Sequence, residues 1–367
     1  MRVLVTVPWG RRLGGAETML QGLLDGAGAG GHELEPVFFE AGPWCQELRE
    51  AGVRVEVIEA GRLRQAHRWA ATVARLARLL RAREPDVVLN WSAKTQLYGS
   101  PAAVLAGQRE RVVWWQHGFA RRDWLDGSAT ALPAAAVGCT SAAAAHAQAR
   151  LRPRRRTFVV AAGSPVPRPD EVPAALELPD DRPIVGLVGR LQAWKGQDRL
   201  LRAQRQLRDR GHEIHTLIVG GDSYERSPDY AASLLPLARE LGIADAVTMT
   251  GEVPDAAPYI RRMDILVNAS DREPFGIVIL EAMARGVAVV AVDSGGPPEF
   301  VEDGRTGVLA RSGEPNALAD ALQRLLVSPD LRARVAEAGA ERFMSEFTTA
   351  AMCERFFARM RAVRERM

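Results

Sequence analysis

Cysteine and long apolar runs are scarce in this chain of 367 residues. The three cysteines, Cys45, Cys139 and Cys353, are scattered and odd in number, so they provide neither a disulfide framework nor a metal-ligand spacing. We therefore expect a protein of the reducing cytoplasm. The stretch Ala129–Ala149 comes nearest to a membrane span, but proline, serine and histidine interrupt it well short of ~20 apolar residues.

Several catalytic signatures are missing as well. The chain has no G-x-x-x-x-G-K-[ST] phosphate loop and no G-x-S-x-G nucleophile elbow. The turn after the first apolar segment lacks the dinucleotide pattern G-x-G-x-x-G. We expect no signal peptide at the N-terminus, because Arg11 and Arg12 follow a very short apolar strand.

Lysine is the rarest cation in the sequence. Of 48 basic residues only Lys94 and Lys195 are lysines, which leaves 46 arginines. A lysine in such a chain indicates either a site that needs a compact point charge, such as a phosphate oxygen, or a surface position without a role. Composition alone leaves both interpretations open.

The net charge of +3 hides an asymmetry along the chain. Up to Asp170 there are 23 basic and 15 acidic residues (+8), and the remainder has 25 basic and 30 acidic residues (−5). A basic first half fits an anionic partner, namely lipid head groups, a phosphorylated acceptor or nucleic acid, and equally a solvated surface. Nucleic acid is disfavoured, because basic and aromatic residues do not alternate in a recognition module.

Apolar segments of strand length alternate with helical patterns throughout the chain. Examples are Arg2–Val7, Val112–Gln116 and Ile184–Val188. This alternation predicts an α/β protein with doubly wound parallel sheets, and the length predicts two domains. The proline-rich segment Ala161–Pro183 is typical of an interdomain linker, so we predict domains at 1–165 and 166–349.

The predicted helix His67–Arg83 is basic on one side and apolar on the other. This pattern is typical of a helix that packs on the sheet and has a solvated face, and also of a membrane-surface helix. Further basic and aromatic surface is expected at Arg121–Trp124, beside Trp114 and Trp115, and at Arg150–Arg156. The other five histidines lack the context of His117, which follows a predicted strand at a sheet edge where ligands bind.

The stretch Asn268–Ala310 has the most specific pattern. A predicted strand, Asp264–Val267, leads through a turn to a helix whose first free N–H groups belong to Gly276, Ile277 and Val278. Helix N-termini attract anions. Glu273 precedes this helix, and Glu281 lies one turn inside it. The turn Ser294–Glu299 follows the predicted strand Val287–Val292 and is expected to open another helix.

Two glycine-containing loops complete the pattern. The first is Gly14-Gly15-Ala16-Glu17, which leads into the predicted helix Ala16–Ala27. The second is Gly189-Arg190, followed by Lys195. With E-P-F-G-x-x-x-x-E and G-G-x-x-E, the chain resembles the family-4 retaining glycosyltransferases of the GT-B fold over nearly its whole length.

The resemblance implies two Rossmann-like domains that face each other across a cleft, with 350–367 as a helix that crosses back to the first domain. It implies retaining transfer of a sugar from a nucleotide-diphosphate donor, UDP- or GDP-linked, without a metal ion or another cofactor. The D-x-D metal clamp of the other large glycosyltransferase fold is absent from the sequence.

The resemblance also implies roles for individual residues. Arg190 and Lys195 would neutralise the diphosphate, Glu273 would hold the transferred sugar, and Glu281 would bind the ribose. The implied catalytic residues are Arg190, Lys195, Glu273 and His117. The implied donor-binding residues are Gly15, Gly189, Arg190, Lys195, Glu252, Val253, Glu273, Phe275, Gly276, Ile277, Val278 and Glu281.

Some questions stay open in the sequence. A nucleotide-sugar epimerase or phosphorylase on the same plan, and a non-catalytic nucleotide-sugar-binding subunit, are the alternatives. The acceptor, whether a glycan, a lipid-linked molecule or a small molecule, would be read by loops near 9–15, 42–48, 60–68 and 118–130. The segment Ala161–Ser164 departs from the N-G-V-D turn that many relatives carry there.

Overall fold

The computed structural model describes residues 1–12, 14–61, 63–152, 156–222, 227–314 and 316–365. The chain divides into two compact units, Met1–Ala162 with Thr349–Met367, and Gly163–Thr348. Leu13 of the first glycine loop, residues 153–155 of the basic cluster and the last two residues of the predicted C-terminal helix lie outside the described residues.

The first unit is built on a parallel sheet with strand order β3-β2-β1-β4-β5-β6-β7. Its central strands are rich in valine and are buried on both faces, as parallel strands between two helix layers must be. The strands are β1 (Arg2–Val7), β2 (Glu33–Phe38), β3 (Glu56–Val57), β4 (Val87–Asn90), β5 (Val112–Gln116), β6 (Ala136–Cys139) and β7 (Thr157–Val159). The helices are α1 (Gly15–Ala27), α2 (Pro43–Glu50), α3 (Ala66–Arg83), α4 (Ala93–Leu105), α5 (Trp124–Ala131) and α6 (Ala142–Ala149).

The second unit has a parallel sheet with strand order β10-β9-β8-β11-β12-β13. Its strands are β8 (Ile184–Val188), β9 (His215–Val219), β10 (Val247–Met249), β11 (Ile265–Asn268), β12 (Ala288–Val292) and β13 (Val308–Ala310). Its helices are α7 (Gln197–Asp209), α8 (Pro228–Glu240), α9 (Ala257–Ile260), α10 (Ile277–Met283), α11 (Ala317–Leu326) and α12 (Pro329–Arg342). The doubly wound α/β fold class is therefore confirmed.

The last helix, α13 (Thr349–Arg364), belongs to the first unit. It packs against α1, where Gly22 and Gly26 leave room for Met352 and Cys353. The Cys353 thiol donates a hydrogen bond to the Gly22 carbonyl at 3.4 Å. Any side chain at Gly26 would meet the Cys353 sulfur, so small residues on α1 set this contact.

The proline-rich segment predicted as a linker is fixed to the second unit for part of its length. The Arg285 guanidinium holds the Glu171 carboxylate in a bidentate ion pair, with both N–O distances at 2.7 Å. The two side chains are only 7% and 12% exposed. The Ala174 N–H donates to the Pro258 carbonyl at 2.9 Å, so contacts at both Glu171 and Ala174 hold this segment.

Three local expectations require correction. Trp114 and Trp115 are fully buried in the first unit's core, so they do not contribute to an aromatic surface, whereas Trp124 is 67% exposed. The segment after Gly296 forms a single 3₁₀ turn, Pro297–Glu299, rather than a helix. The strand β13 follows it, where no strand was expected.

Helix α3 packs on the sheet by its apolar face. Val73, Leu76 and Leu80 are buried in the same core cluster as Leu4 of β1 and Val88 of β4. The interpretation of this helix as part of the sheet packing is therefore right, and its arginines lie on the outside.

Candidate functional site

The predicted donor-binding residues of the second unit gather where the winding of its sheet reverses. Strands β8 and β11 are neighbours, and the chain runs outward from them in opposite directions. Gly189 and Arg190 follow β8 directly, and the turn that carries Glu273 follows β11. Open α/β sheets bind ligands at this topological switch point, beyond the carboxyl ends of the strands.

Two glycines let the loops at this edge come close together. Gly196 has φ +77°, and a Cβ there would lie 2.5 Å from the Ala269 carbonyl oxygen. Gly276 caps α10 with φ +96°, a left-handed conformation that favours glycine. Glycine at these positions allows the loop after β8 to touch the loop after β11, and allows the chain to turn sharply into α10.

Lys195 turns inward and pairs with Glu273. The distance from Lys195 Nζ to Glu273 Oε2 is 2.7 Å, and the two side chains are 17% and 7% exposed. The Lys195 ammonium also lies 4.2 Å from the centre of the Trp194 ring, a cation–π contact. The structure therefore brings together two residues that are 78 positions apart in the sequence.

The Glu273 carboxylate has two further donors, which the sequence analysis missed. The Ser270 hydroxyl donates to Glu273 Oε2 at 3.0 Å, and the Asn268 amide donates to the same oxygen at 3.3 Å. The Glu273 backbone carbonyl accepts a hydrogen bond from the Gly296 N–H at 2.8 Å, which ties the second glycine turn to this one. A serine three residues before Glu273 was the available sequence signal.

Arg190 lies in the loop after β8, which a side-chain hydrogen bond from Gln197 holds in place. Its side chain is half-buried, yet its guanidinium makes no hydrogen bond or ion pair within the described parts of the chain. Its backbone carbonyl accepts from the Gln197 amide at 2.9 Å, and the Gln197 side chain contacts the Tyr230 hydroxyl. A partly buried cation without a counter-ion fits an anionic ligand.

The start of α10 is held in place by an aromatic stack. Phe275 is buried, and its ring lies 4.8 Å from the ring of Phe300. The N–H groups of Gly276, Ile277 and Val278 have no acceptor in the part of the chain that the structure describes. Phe275 therefore acts through its packing, and the groups left without an acceptor among the described residues here are backbone amides.

Glu281 lies one turn inside α10, as predicted from the sequence. Burial raises the pKa of its carboxyl, and the Arg285 charge opposes this shift. Arg285 donates to the Glu281 backbone carbonyl at 2.9 Å rather than to its side chain. Within the described ranges the Glu281 carboxylate accepts no hydrogen bond, so its acceptor capacity is unused.

Glu252 and Val253 follow β10 and lie beside the turn after β9. The Gly251 carbonyl accepts from the Gly220 N–H at 3.0 Å, which joins the two turns. Glu252 is exposed and Val253 is half-buried. The structure thus places both residues at the same sheet edge as Gly189.

In the first unit, His117 follows β5 and is fixed as a neutral ring. Its Nε2 lies 2.8 Å from the Trp91 carbonyl oxygen. Because a carbonyl only accepts, Nε2 carries the proton and Nδ1 is an acceptor. Burial lowers the pKa of His117 to about 4, although its hydrogen bond to Trp91 acts in the opposite direction.

Gly15 is the first residue of α1 and is exposed. The loop before it is anchored by Glu17, which is buried and accepts a hydrogen bond from the Trp9 indole at 3.2 Å. The structure therefore places Gly15 and His117 on one unit, and the remaining predicted site residues on the other.

The described ranges contain no group of three or more His, Cys, Asp or Glu residues arranged to hold a metal ion. Within the same ranges, every helix is too short or too polar to span a bilayer.

Comparison with known proteins supports the family resemblance. Residues 169–342 match the family model described as glycosyl transferases group 1. The lipopolysaccharide core biosynthesis glycosyltransferase LpsE of Rhizobium meliloti is 32% identical over 183 residues, which cover 50% of this chain and 51% of that protein. A D-inositol 3-phosphate glycosyltransferase of Nocardia farcinica is 42% identical over 163 residues, which cover 43% of this chain and 36% of that protein.

The chain thus spans about half or less of the length of these relatives.

Among solved structures, Anabaena Alr3699/HepE in complex with UDP and glucose superposes with a TM-score of 0.84 at 23% identity, and covers 99% of this chain and 100% of that one. This likeness shows the fold. Residues 169–342, just under half of the chain, thus match the glycosyl transferases group 1 family, and the chain has the fold of the GT-B glycosyltransferases.

Proposed function

We propose that this protein is a retaining glycosyltransferase that moves a hexosyl group from a nucleotide-diphosphate donor to an acceptor hydroxyl, without a metal ion. The observation that carries the proposal is the inward-facing Lys195 in the same loop as Arg190, which has no counter-ion among the described residues, at the switch point of the second sheet. The family match of the same segment supports it.

The chemistry of the donor explains why these cations matter. When the glycosidic bond to phosphate breaks, negative charge grows on the departing diphosphate, and positive charge spreads over the sugar ring. Fixed cations and N–H dipoles that face the diphosphate stabilise this transition state most. We assign this role to Arg190 and Lys195, with the amides of Gly276, Ile277 and Val278. Gly189 leaves space for the phosphates to approach.

We assign the two carboxylates to two ends of the donor. Glu281, whose carboxylate accepts no hydrogen bond in the described chain, binds the ribose hydroxyls. Glu273 binds hydroxyls of the transferred sugar, with the backbone at Phe275 and Gly276. The backbone of the Glu252–Val253 turn pairs with the nucleobase.

The acceptor attacks on the face from which the diphosphate leaves, so the anomeric configuration is retained. A bond forms between the acceptor oxygen and the anomeric carbon as the bond from that carbon to phosphate breaks, and a donor phosphate oxygen takes the acceptor proton. The roles of His117 and Gly15 are proposed from the family resemblance. It implies that His117 contacts the transferred sugar and that Gly15 contacts the diphosphate or the acceptor.

Uridine is the first base to test. The structure of Anabaena Alr3699/HepE, which is 23% identical to this chain, has been determined with UDP-glucose. That ligand is therefore a starting point for a screen. The screen measures thermal stabilisation by UDP- and GDP-sugars, because a ligand of the folded state raises the unfolding temperature with its occupancy.

Two alternatives are separated by one incubation. A nucleotide-sugar epimerase converts a labelled donor without an acceptor, whereas a transferase needs the acceptor. A non-catalytic binding subunit is stabilised by the donor but converts nothing. Transfer by the wild type that disappears in Arg190→Ala supports the proposal, and conversion without acceptor contradicts it.

We propose that the acceptor is a glycan, a lipid-linked molecule or a small molecule, and that the enzyme works in the cytoplasm at an anionic membrane surface. Helix α3 contains no acidic residue, and its outer arginines form no ion pair within the described chain. They are Arg68, Arg75, Arg78 and Arg81.

Each arginine near an anionic bilayer contributes about 1 kcal/mol. The variant Arg75→Ala/Arg78→Ala should therefore sediment less with phosphatidylglycerol vesicles than the wild type. The control Arg332→Ala/Arg334→Ala removes the same charge from the second unit. Equal binding by both variants, or equal binding to phosphatidylcholine vesicles, would contradict membrane contact through α3.

A further inference from the structure

We propose that Asn268 and Ser270 are positioning residues that hold Glu273 by one of its two carboxylate oxygens, and thereby present the other oxygen to the sugar of the donor. This inference rests on the proposed function, because it takes the sugar of a nucleotide sugar as the ligand of Glu273. It adds two residues that neither the family match nor the sequence patterns assign.

The three donors around Glu273 all meet the same atom. Glu273 Oε2 accepts from Lys195 Nζ at 2.7 Å, from Ser270 Oγ at 3.0 Å and from Asn268 Nδ2 at 3.3 Å. Oε1 accepts no hydrogen bond in the described parts of the chain. A carboxylate can accept on both oxygens, so this arrangement leaves one acceptor free.

The donors are themselves fixed. Ser270 and Asn268 are buried, with 1% and 4% exposure. The Ser270 N–H donates to the Asn268 side-chain oxygen at 3.3 Å, which sets the orientation of the amide and turns its nitrogen toward Glu273. The terminal torsion of a glutamate is otherwise broad, so these contacts define the direction in which Oε1 points.

Lys195 differs from the other two donors because it is also the proposed partner of the diphosphate. When the nucleotide sugar binds, the Lys195 ammonium moves toward the phosphate. Ser270 and Asn268 then remain as the hydrogen-bond donors that fix Oε2. Their contribution is therefore specific to the sugar. The nucleotide diphosphate alone does not use it, since it brings no hydroxyl to Oε1.

The test compares the affinities of UDP-glucose and UDP, measured by calorimetry, for the wild type and for Ser270→Ala. We expect the variant to bind UDP-glucose about tenfold more weakly, since one hydrogen bond to a charged group is lost, and to bind UDP within about twofold of the wild type. Ser270→Thr keeps the hydroxyl and should restore the affinity for UDP-glucose. Ser233→Ala, in the exposed part of α8, is the matched control.

A second variant tests the presented oxygen directly. In Glu273→Gln the three donors still require an oxygen at the Oε2 position, so the amide nitrogen takes the place of Oε1 and turns an acceptor into a donor. We expect this variant to lose the preference for UDP-glucose over UDP and to keep its affinity for UDP. Its unfolding temperature shows whether the fold is intact.

The outcomes separate the two claims. If the wild type binds UDP-glucose, and Ser270→Ala loses equal affinity for UDP-glucose and UDP or loses none, the positioning role is wrong and the proposed function stands. If the wild type binds none of the UDP- and GDP-sugars in the screen, the proposed function fails, and this inference fails with it. GDP-mannose and GDP replace the uridine pair if the screen selects them.

Discussion

Removal of Lys195 should affect stability as well as transfer, whereas removal of Arg190 should affect transfer alone. Among the described residues, Lys195→Ala leaves the Glu273 carboxylate with the two neutral donors Ser270 and Asn268. Arg190→Ala removes a guanidinium that has no partner in the described chain. The two substitutions therefore take the same charge from the same site but leave different groups unsatisfied.

The magnitude follows from burial. Breaking a fully buried ion pair costs about 3–5 kcal/mol. Here the Lys195 side chain is 17% exposed, and two hydrogen bonds to the carboxylate remain, so we expect about 2 kcal/mol. In a unit of this size each kcal/mol lowers the unfolding temperature by about 2–4 °C, which gives a decrease of about 4–8 °C for Lys195→Ala. Arg190→Ala should stay within about 1 °C of the wild type.

The measurement is thermal unfolding without ligand at pH 7.5, together with transfer activity. The double variant Lys195→Ala/Glu273→Gln should recover most of the lost unfolding temperature, because it removes the charge that the first substitution leaves buried. Equal unfolding temperatures for Lys195→Ala and Arg190→Ala, or a double variant less stable than Lys195→Ala, would refute this account of the pair.

Three further predictions concern titratable groups. Glu281→Gln should weaken the binding of the nucleotide about tenfold. Because burial raises the pKa of Glu281 in the fold, the substitution should also stabilise the protein at pH 7, and this gain should vanish as the pH falls toward 4; a loss of stability would contradict it. The Arg285 hydrogen bonds lower the pKa of Glu171, so their stabilisation is present above the unfolded pKa and is lost as the pH falls through the folded one. Arg285→Ala should therefore cost about 3 kcal/mol in urea unfolding at pH 7 and much less near pH 3, and a cost independent of pH would disagree. The His117 ring should titrate with a midpoint near 4 in an NMR experiment and carry its proton on Nε2 at pH 7; a midpoint at 6 or above would show that the ring is not held as described.

The sequence predicted those parts of the fold that local patterns determine. The strands β1, β5 and β8 have the predicted bounds, because each is a run of valine and leucine or valine and tryptophan between clear turns. The position of Glu273 before α10 and of Glu281 inside it also follows from local order. Each of these features is contained within about ten residues of chain, in the range of helix and strand periodicity.

Features that depend on distant contacts were missed. The Glu171–Arg285 pair joins residues 114 positions apart. The proline content of Ala161–Pro183 led to the prediction of a linker, and this ion pair was not expected. Trp114 and Trp115 looked available beside Arg121 because a sequence does not reveal that β5 is buried on both faces. The contact of Ser270 with the carboxylate oxygen that Lys195 also contacts is a property of the fold that no local pattern indicates.

The predictions of the short elements were wrong for a different reason. Pro297 and Pro298 were expected to open a helix, as prolines often do at a helix start. The chain instead leaves the turn at Phe300, whose side chain is needed for the stack on Phe275. The strand β13 spans only Val308–Ala310 and is specified by its pairing with β12 rather than by its own composition.

The central claim is that Arg190 and Lys195, rather than a divalent ion, neutralise the diphosphate of the donor. The most direct measurement is the affinity of UDP and GDP for the wild type, Arg190→Ala and Lys195→Ala in buffer treated with EDTA, with transfer activity followed in parallel. We predict that the wild type binds and transfers in EDTA, and that each variant binds about 10–100-fold more weakly, as expected when a hydrogen bond to a charged group is lost. Binding that requires added magnesium, or variants that bind as tightly as the wild type, would contradict the claim.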